Sequence, residues 1–510
     1  MADGIKSENT ESKTGNSDNT ETQKEFVDAV QLPHAHLDRE EINLLSPEHR
    51  EYLLARHGTL DLDPMPDMGD ADPYNWPHWK KVANLVLVAF HAMMATFTGA
   101  AIQSAFENIA LDLGCSLQRA SYLTSLQIAI LGGAPLFWKP LSDRYGRRPI
   151  FTISLICSLA GNVGCAYSYS YASMAACRAI VAFFISPAAA IGSAVVTETF
   201  FKRNRARYMG VWTLMVTIGV QISPLIFGFV AYRVEYRWIY KILAITNAVQ
   251  LVLYAFLGPE TRYLRHGITR KGSSMKQEYF QLCRIDPTPL RLWDFVQPLR
   301  FAGRPCVMVP AAAYAMAFLL VAVMISVEIP QLFGPSFHFN TQQVGLQYIS
   351  MLIGTVLGEL VGGFISDAWM NRRTKKIGIS PEPEWRLWLS HGGFLLAIVG
   401  VTVFLVQLGE IGTHYNITPL VGSAIATGGL QIVTTVLITY AVDRYQEESA
   451  SVGVFITFVR QIWGFIGPFW FPQMFENVGL YGSAGIATGL LVGVSWIPTI
   501  VLQRKGHTWP

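Results

Sequence analysis

Long apolar runs alternate with short polar loops along most of the chain. An α-helix needs roughly 20 apolar residues to cross a hydrocarbon core about 30 Å thick. Twelve runs have that length, and we number them spans 1 to 12: about 82–104, 121–141, 150–169, 174–196, 209–231, 238–257, 306–328, 344–366, 387–408, 418–442, 451–473 and 480–502. A longer polar connection follows span 6. The pattern predicts an all-α integral membrane protein with twelve transmembrane helices in two pseudo-symmetric six-helix halves.

The two halves carry a similar polar motif after their second span. KPLSDRYGRR (139–148) follows span 2, and GFISDAWMNRR (363–373) follows span 8. Both motifs place Ser-Asp at the membrane exit and paired arginines four to six residues later. Such a repeat is typical of transporters that bind their solute near the middle of the membrane, between the halves.

The segment before span 1 is strongly acidic. Residues 1–72 contain 17 Asp and Glu and 6 Lys and Arg, a local net charge of −11. This segment has too few apolar residues to fold alone, apart from a weak helix at about 38–57. We therefore expect five regions: a disordered acidic N-terminal tail (1–75), an N-terminal half (76–257), a linker (258–305), a C-terminal half (306–502) and a short tail (503–510).

Composition argues against a soluble protein. Charged residues make up 15% of the 510 residues, against about 25% in ordinary globular chains. No GxxxxGK(S/T) loop is present and no stretch is long enough for a soluble catalytic domain, so we expect neither a primary pump nor an enzyme. The six cysteines include no CxxC pair, which predicts no metal site and no disulfide framework. We expect no cofactor and no nucleic-acid partner.

Basic residues are shared unevenly between the loops. FKRNRARY (201–208), the linker and NRRTKK (371–376) lie on one side, whereas GPSFHFNTQQVG (334–345) on the other side has no Lys or Arg. Because cytosolic loops carry the excess of Lys and Arg, we expect both termini in the cytosol. The one sequon, at Asn416, is expected outside as a glycosylation site. No signal-peptide pattern precedes span 1, and we expect a multi-pass protein of the plasma membrane.

Four motifs resemble those of the major facilitator superfamily. PLSDRYGRRP (140–149) resembles its signature loop, roughly G-x-L-(A/S)-D-R-x-G-R-R, with a proline in place of the first glycine. Arg178 matches the family's buried arginine in span 4. GVQISPLIFGF (219–229) and PETR (259–262) are similar to motifs of its drug:proton antiporter branch. The resemblance covers about residues 75–505 and implies a twelve-span secondary transporter with alternating access.

The signature loop is expected to form part of a cytosolic gate. Acidic and basic groups can bridge helices of both halves in one conformation and release them in another, whereas a simple orientation anchor needs basic residues only. We assign seven residues to the gate: Asp143, Arg144, Gly146, Arg147, Arg148, Glu198 and Asp367. Glu198 is the expected partner of Arg147, and Asp143 is placed to cap the N-terminal end of span 11.

Span 5 carries the expected helix-bend motif, Gly219, Pro224 and Gly228, which would let the helix bend and approach a neighbour. The resemblance implies that this contact limits leak. Ser223 and Phe227 stand where the antiporter branch has glycine, which weakens the case for a strict drug antiporter.

Polar and ionisable side chains inside spans are candidates for a proton and substrate path. We assign six residues to it: Arg178, Glu359, Arg460, Gln461, Trp463 and Glu107. Glu359 lies among small residues, so close helix packing would bury it and disfavour its charged form. It would then carry a proton or meet a cationic solute. The alternatives are an ion pair with a neighbouring arginine for Glu359, a helix anchor for Arg178, a brace of the gate for Arg460, and simple solvation at the external face for Glu107 and Glu328.

Two transport functions fit these residues. The first is proton-coupled export of small organic molecules, such as drugs or a secreted metabolite, and it follows from the antiporter resemblance. The second is proton-coupled uptake of cations or polyamines. DPYNWPHWKK (72–81) and FVRQIWGFIGPFWFPQMF (458–475) are similar to a fungal subgroup that includes such importers. In either case we expect a monomer in the lipid bilayer, whose partners are a small molecule and protons.

Overall fold

The computed structural model describes residues 45–60, 62–264, 279, 284–377, 382–410, 415–445 and 448–509. Regular structure in these residues is helical throughout. Twelve of their helices are long and apolar enough to cross a membrane: span 1 His78–Asp112, span 2 Leu117–Tyr145, span 3 Arg147–Ala166, span 4 Tyr171–Thr199, span 5 Arg207–Arg233, span 6 Arg237–Leu257, span 7 Pro305–Phe337, span 8 Thr341–Met370, span 9 Pro383–Glu410, span 10 Thr418–Arg444, span 11 Ser449–Phe469 and span 12 Phe471–Thr508. The predicted all-helical fold with twelve spans is confirmed.

Consecutive spans run in opposite directions because the turns between them are short. Gly146 alone separates spans 2 and 3, and residues 167–170 separate spans 3 and 4. We call the end of the bundle that holds residues 140–149 and 382–386 the charged end. The end that holds residues 167–170 and 337–341 is the opposite end.

The two halves touch along spans 5 and 8 and along spans 2 and 11. A Cβ on Gly228 of span 5 would lie 3.0 Å from the Cα of Gly345 of span 8, so these helices can cross this closely only at glycine. Nearer the opposite end, the Thr341 hydroxyl donates a hydrogen bond to Asn108 Oδ1 at 2.9 Å. These contacts between the halves lie between the middle of the bundle and the opposite end.

Residues 45–77 differ from the predicted disordered tail, because they fold against the charged end. They contain a helix at Pro47–His57, inside the predicted range of about 38–57. Tyr74, which is 1% exposed, stacks on Phe201 at a centroid distance of 4.9 Å. Residues 1–44, the rest of the predicted tail, lie outside the described residues.

The acidic character of this segment serves its docking. Asp63 forms an ion pair with Lys202 (2.9 Å), which begins the basic stretch after span 4. Asp67 accepts a hydrogen bond from the hydroxyl of Tyr263 in the linker (3.1 Å). Charges that look like a solvated tail in the sequence therefore face the basic loops of the charged end.

The junction of spans 11 and 12 lies earlier than predicted. Span 11 ends at Phe469 after a Gly-Pro pair, and Trp470 leaves helical geometry with φ −122°. The next helix starts at Phe471 and breaks at Gly479, where φ is +72°. The part after this break begins where the sequence places the start of span 12.

Candidate gate and transport site

Arg147 lies at the centre of a group of charged side chains at the charged end. It begins span 3, and the residue is 4% exposed. Its Nη1 donates to Asp143 Oδ1 (2.9 Å) and to the Ser142 hydroxyl (2.7 Å), and Nη2 donates to Glu198 Oε1 (2.7 Å). The group joins the ends of spans 2, 3 and 4. The contact between Arg147 and Glu198 is the one that the sequence predicts.

Glu260, in the PETR motif after span 6, caps the N-terminal end of span 3. Its carboxylate accepts hydrogen bonds from the backbone N–H groups of Arg147 (2.8 Å), Arg148 (2.9 Å) and Arg262 (2.8 Å). A carboxylate here pairs helix N–H groups that lack a partner in the helix and lies at the positive end of the helix dipole. Burial raises the pKa of the Glu260 carboxyl, and the backbone N–H groups limit the rise. Sequence reasoning missed Glu260, although the PETR match contains it.

Gly146 makes room for this cap. Its φ of +99° and ψ of 172° lie in a region that is essentially restricted to glycine. A Cβ at this position would lie 2.3 Å from Glu260 Oε2. The glycine of the signature loop is therefore required by both the backbone and the carboxylate beside it.

Gly146→Ala is expected to lower the free energy of unfolding by about 1–3 kcal/mol through backbone strain alone, and further by displacing Glu260. The measurement is the thermal midpoint of the purified full chain. Gly133→Ala is the matched control, since a Cβ at Gly133 of span 2 would meet no atom within 4 Å. Equal midpoints for the two variants would contradict this assignment.

The linker holds Arg144 and Arg148. Arg144 forms ion pairs with Asp286 (3.2 Å) and Asp294 (3.1 Å), and Arg148 Nε donates to the carbonyl of Tyr279 (3.1 Å). Burial favours the neutral form of Asp286, but hydrogen bonds from Thr288 and the charge of Arg144 outweigh it and hold the pKa below its usual value.

The predicted cap of span 11 by Asp143 is not what the structure has. The two carboxylate oxygens of Asp143 bond to Arg147 and to Lys139 Nζ (3.2 Å), inside the N-terminal half. The halves meet toward the opposite end, so this carboxylate is engaged by its own neighbours instead.

The C-terminal half repeats the arrangement around Arg386, at the start of span 9. Arg386 Nη1 donates to the Ser366 hydroxyl (2.7 Å), as Arg147 does to Ser142. Its Nη2 lies 3.4 Å from Asp443 Oδ2 at the end of span 10, the position that corresponds to Glu198. The pseudo-symmetry of the two halves thus extends to their charged side chains.

The sequence motifs pair Arg147 and Arg148 with Arg372 and Arg373, and this pairing is wrong. Arg372 and Arg373 continue the helix of span 8 up to Ile377, and the guanidinium of Arg373 lies 4.3 Å from the ring of Trp385. The counterpart of Arg147 comes later because span 8 extends beyond its Ser-Asp pair, whereas span 2 ends at Tyr145. The side chain of Asp367, a predicted gate residue, lies outside the described residues.

Arg178 is a buried anchor between spans 1, 2 and 4. It is 1% exposed and donates to Gln127 Oε1 (2.8 Å) and to the carbonyls of Leu123 (3.2 Å) and Gly99 (3.3 Å). These bonds match the helix-anchor alternative of the sequence interpretation.

Glu359 of span 8 has no arginine partner among the described residues. Its Oε2 accepts a hydrogen bond from the Gln431 amide of span 10 at 3.2 Å. Next to it, a Cβ on Gly358 would lie 2.5 Å from the carbonyl of Gly428, which shows how closely spans 8 and 10 pack. Glu107, in contrast, is exposed near the opposite end, in agreement with simple solvation.

Glu328 of span 7 is buried rather than solvated, so that expectation is wrong. It is 1% exposed, and its Oε1 has no hydrogen-bond partner among the described residues. Nearby, Pro330 lacks an N–H, which frees the carbonyl of Ser326, and that carbonyl accepts from the Tyr348 hydroxyl of span 8 at 2.5 Å. Sequence reasoning placed Glu328 at the end of span 7, but the span continues to Phe337.

Arg460, Gln461 and Trp463 lie near the middle of span 11. Arg460 Nη1 donates to the Tyr314 hydroxyl of span 7 at 3.0 Å. Gln461 is 7% exposed and packs on span 2. A Cβ on Gly132 of span 2 would lie 2.6 Å from the Cβ of Gln461. Trp463 is half-buried. The structure thus places these residues at or close to the boundary between the halves.

The span-5 motif packs against two helices. A Cβ on Gly219 would lie 2.5 Å from Thr96 Oγ1 of span 1, whereas Gly228 meets span 8. Ser223, which replaces an expected glycine, donates to the carbonyl of Phe97 at 2.6 Å, and the Phe227 ring lies 5.2 Å from the Phe97 ring. The two departures from the motif therefore form specific contacts with span 1. No group of three metal-binding side chains is found within the described residues.

Comparisons with known proteins agree with this architecture. The sequence profile described as Major Facilitator Superfamily matches residues 86–468. The chain is 26% identical to efflux pump radE of Floropilus chiversii, over 84% of this chain and 81% of that protein. It is also 26% identical to "Probable drug/proton antiporter YHK8" of Saccharomyces cerevisiae, over 82% of each chain.

A solved structure shows a similar fold. A bacterial homologue of the human lysosomal transporter Spinster, crystallised in an inward-facing and unoccupied conformation, superposes with a TM-score of 0.58. The match covers 84% of this chain and 98% of that chain at 14% sequence identity.

Proposed function

Since the chain belongs to the major facilitator superfamily, we propose that it exports small organic molecules in exchange for protons. The chain is a multi-pass membrane protein with twelve spans. The similarity to proteins named as an efflux pump and a probable drug/proton antiporter supports export over uptake.

One structural observation carries the proton coupling. Glu328 and Glu359 lie inside spans, and neither has a cationic partner within the described residues. A carboxylate without a counter-charge is costly to bury, whereas the protonated carboxyl is tolerated far better. Each group therefore prefers to carry a proton when its surroundings close around it and to release the proton when water reaches it.

The charged end supplies the gate of this proposal. The halves meet from the middle to the opposite end, and the groups around Arg147 and Arg386 each lie within one half. With the charged end in the cytosol, we propose that this arrangement is the cytosol-facing state of the transporter. Closing it would bring the two groups together, and Arg144 would have to exchange its ion pairs with Asp286 and Asp294 for contacts across the halves.

Asn416 tests the orientation, since it is exposed at the opposite end. Its side-chain oxygen accepts hydrogen bonds from the N–H (3.1 Å) and the hydroxyl (2.9 Å) of Thr418, the third residue of the sequon. We expect a glycan on Asn416 of the plasma-membrane protein, seen as a gel shift that peptide N-glycosidase removes and Asn416→Gln lacks. An unmodified Asn416, together with an Asn416→Cys thiol that a membrane-impermeant maleimide labels only in permeabilised cells, would place the opposite end in the cytosol.

The direct test of function is a paired metabolite profile of cells and medium. It compares a strain that lacks the protein with one that overproduces it. Export predicts a compound that rises in the medium and falls in the cells on overproduction. Depletion of a compound from the medium, a polyamine for example, would contradict export and establish uptake.

A further inference from the structure

Arg460 is a cation that makes no ion pair with any acidic side chain of the described residues. Its Nη1 donates to the Tyr314 hydroxyl, but Nε is buried and makes no hydrogen bond within the described residues. The guanidinium carbon lies 4.7 Å from the centre of the Phe318 ring. An aromatic face attracts a cation but does not neutralise its charge.

A guanidinium in the middle of a span is costly, and arginine cannot shed its proton to avoid the cost. The two carboxyls deep within spans of the same half, Glu328 and Glu359, do not compensate it, because Glu359 accepts from Gln431 and Glu328 lies beside Tyr348. No carboxylate of the described residues lies within ion-pair distance of Arg460. Ionisable residues inside spans typically mark the path or the binding site of a solute or ion.

The surroundings of Arg460 place it where a solute would pass. Gly464, one helical turn further, lies against Phe318 of span 7 and Ile128 of span 2, which belongs to the other half. Transporters built from two repeats bind their solutes at this boundary, near the middle of the membrane. Phe318 also begins a π-helical turn that extends to Val323, a distortion that is frequent at functional sites.

We infer that Arg460, Tyr314 and Phe318 form a subsite for the carboxylate of an aromatic organic acid, which is then the preferred class of exported solute. This inference rests on the proposed export function. Tyr314 binds the guanidinium at Nη1, so Nε and Nη2 are left to donate hydrogen bonds to the two oxygens of a carboxylate. Charge-assisted bonds of this kind are strong and directional. The Phe318 ring gives the aromatic part of the solute a flat apolar surface.

Binding of matched probes to the purified full chain tests the subsite. The probes are 2-naphthoate, its neutral amide 2-naphthamide and the cationic 2-naphthylmethylamine, and the readout is the ligand-dependent rise in thermal midpoint. We expect the wild type to bind 2-naphthoate best. Arg460→Gln should weaken 2-naphthoate at least about tenfold, the loss expected from one charge-assisted hydrogen bond, and leave 2-naphthamide unchanged.

Three further variants sharpen the result. Arg460→Lys keeps the positive charge but loses the planar guanidinium, so it should retain part of the preference for 2-naphthoate. This variant replaces Arg460→Gln in the test if Arg460→Gln does not fold. Tyr314→Phe should weaken 2-naphthoate by a smaller factor, because it frees the guanidinium without removing it. Arg504→Gln, at an exposed position near the C-terminal end of span 12, is the matched control and should bind as the wild type does.

Equal affinity of wild type and Arg460→Gln for 2-naphthoate would overturn the inference. So would a parallel loss of naphthoate and naphthamide binding, or a wild type that prefers the amine or binds no naphthoate. A failure of the proposed export function can be told apart from a failure of this inference. If naphthoate binding depends on Arg460 but a pH gradient drives no efflux, the subsite is supported and proton-coupled export is contradicted.

Discussion

Arg147→Ala is expected to destabilise the protein by about 3 kcal/mol, the lower part of the range for removing one partner of a buried ion pair. Asp143 and Glu198 would each lose their shortest contact with a cation, at 2.9 and 2.7 Å. The Ser142 hydroxyl would lose its bond to the same guanidinium. The thermal midpoint of the full chain should fall, and transport should fall with it.

Arg147→Lys separates charge from geometry. A lysine ammonium cannot reach Asp143, Ser142 and Glu198 in the planar arrangement of the guanidinium, so we expect an intermediate midpoint. Lys202→Ala is the control, because it removes an ion pair whose side chains are 57% and 45% exposed, and such pairs contribute less than about 1 kcal/mol. If Arg147→Ala is no less stable than Lys202→Ala, the group around Arg147 does not hold the charged end together.

Glu328→Gln is expected to abolish proton-driven export while leaving exchange of solute across the membrane. Glutamine has the shape of the protonated carboxyl but cannot release a proton. Glu328 is 1% exposed, and its Oε1 has no hydrogen-bond partner within the described residues, so its closed site favours the neutral form. The part of export that depends on a pH gradient should therefore disappear, while exchange that does not depend on the gradient remains.

Uncharged polar groups lie around Glu328. Tyr348 of span 8 lies close enough to interact with its charge, and the Ser326 hydroxyl two residues earlier is 3.5 Å from the Gln103 amide of span 1. No cation is among these groups. Glu359→Gln, measured in parallel, shows which carboxyl carries the proton, and Glu107→Gln at an exposed site is the control. Unchanged gradient-driven export in both Glu328→Gln and Glu359→Gln would remove these carboxyls from the coupling.

The spans could be predicted because their signal is local. Each needs only a run of apolar residues, and the runs define twelve helices within a few residues. The break after Phe469 was missed because FWFPQMF is as apolar as the span before it, whereas the Gly-Pro pair and Trp470 decide the helix end.

Contacts between distant segments could not be predicted in the same way. Glu260 lies 113 residues from Arg147, and nothing near it in the chain shows that it caps span 3. The match of Arg386 to Arg147 depends on how far span 8 continues after Ser366. Composition made residues 45–75 look disordered because acidic residues dominate, but a few apolar side chains such as Leu53 and Tyr74 are enough to dock the segment.

The central claim is that solute leaves in exchange for protons. The measurement is efflux from proteoliposomes that hold the full chain and the compound named by the metabolite profile, with and without an imposed pH gradient. We predict that efflux is faster when the medium is more acidic than the lumen, so that protons enter as the solute leaves. A protonophore should remove this acceleration, and Glu328→Gln should abolish it. Efflux at the same rate with and without the gradient would contradict the account and leave a transporter that is not coupled to protons.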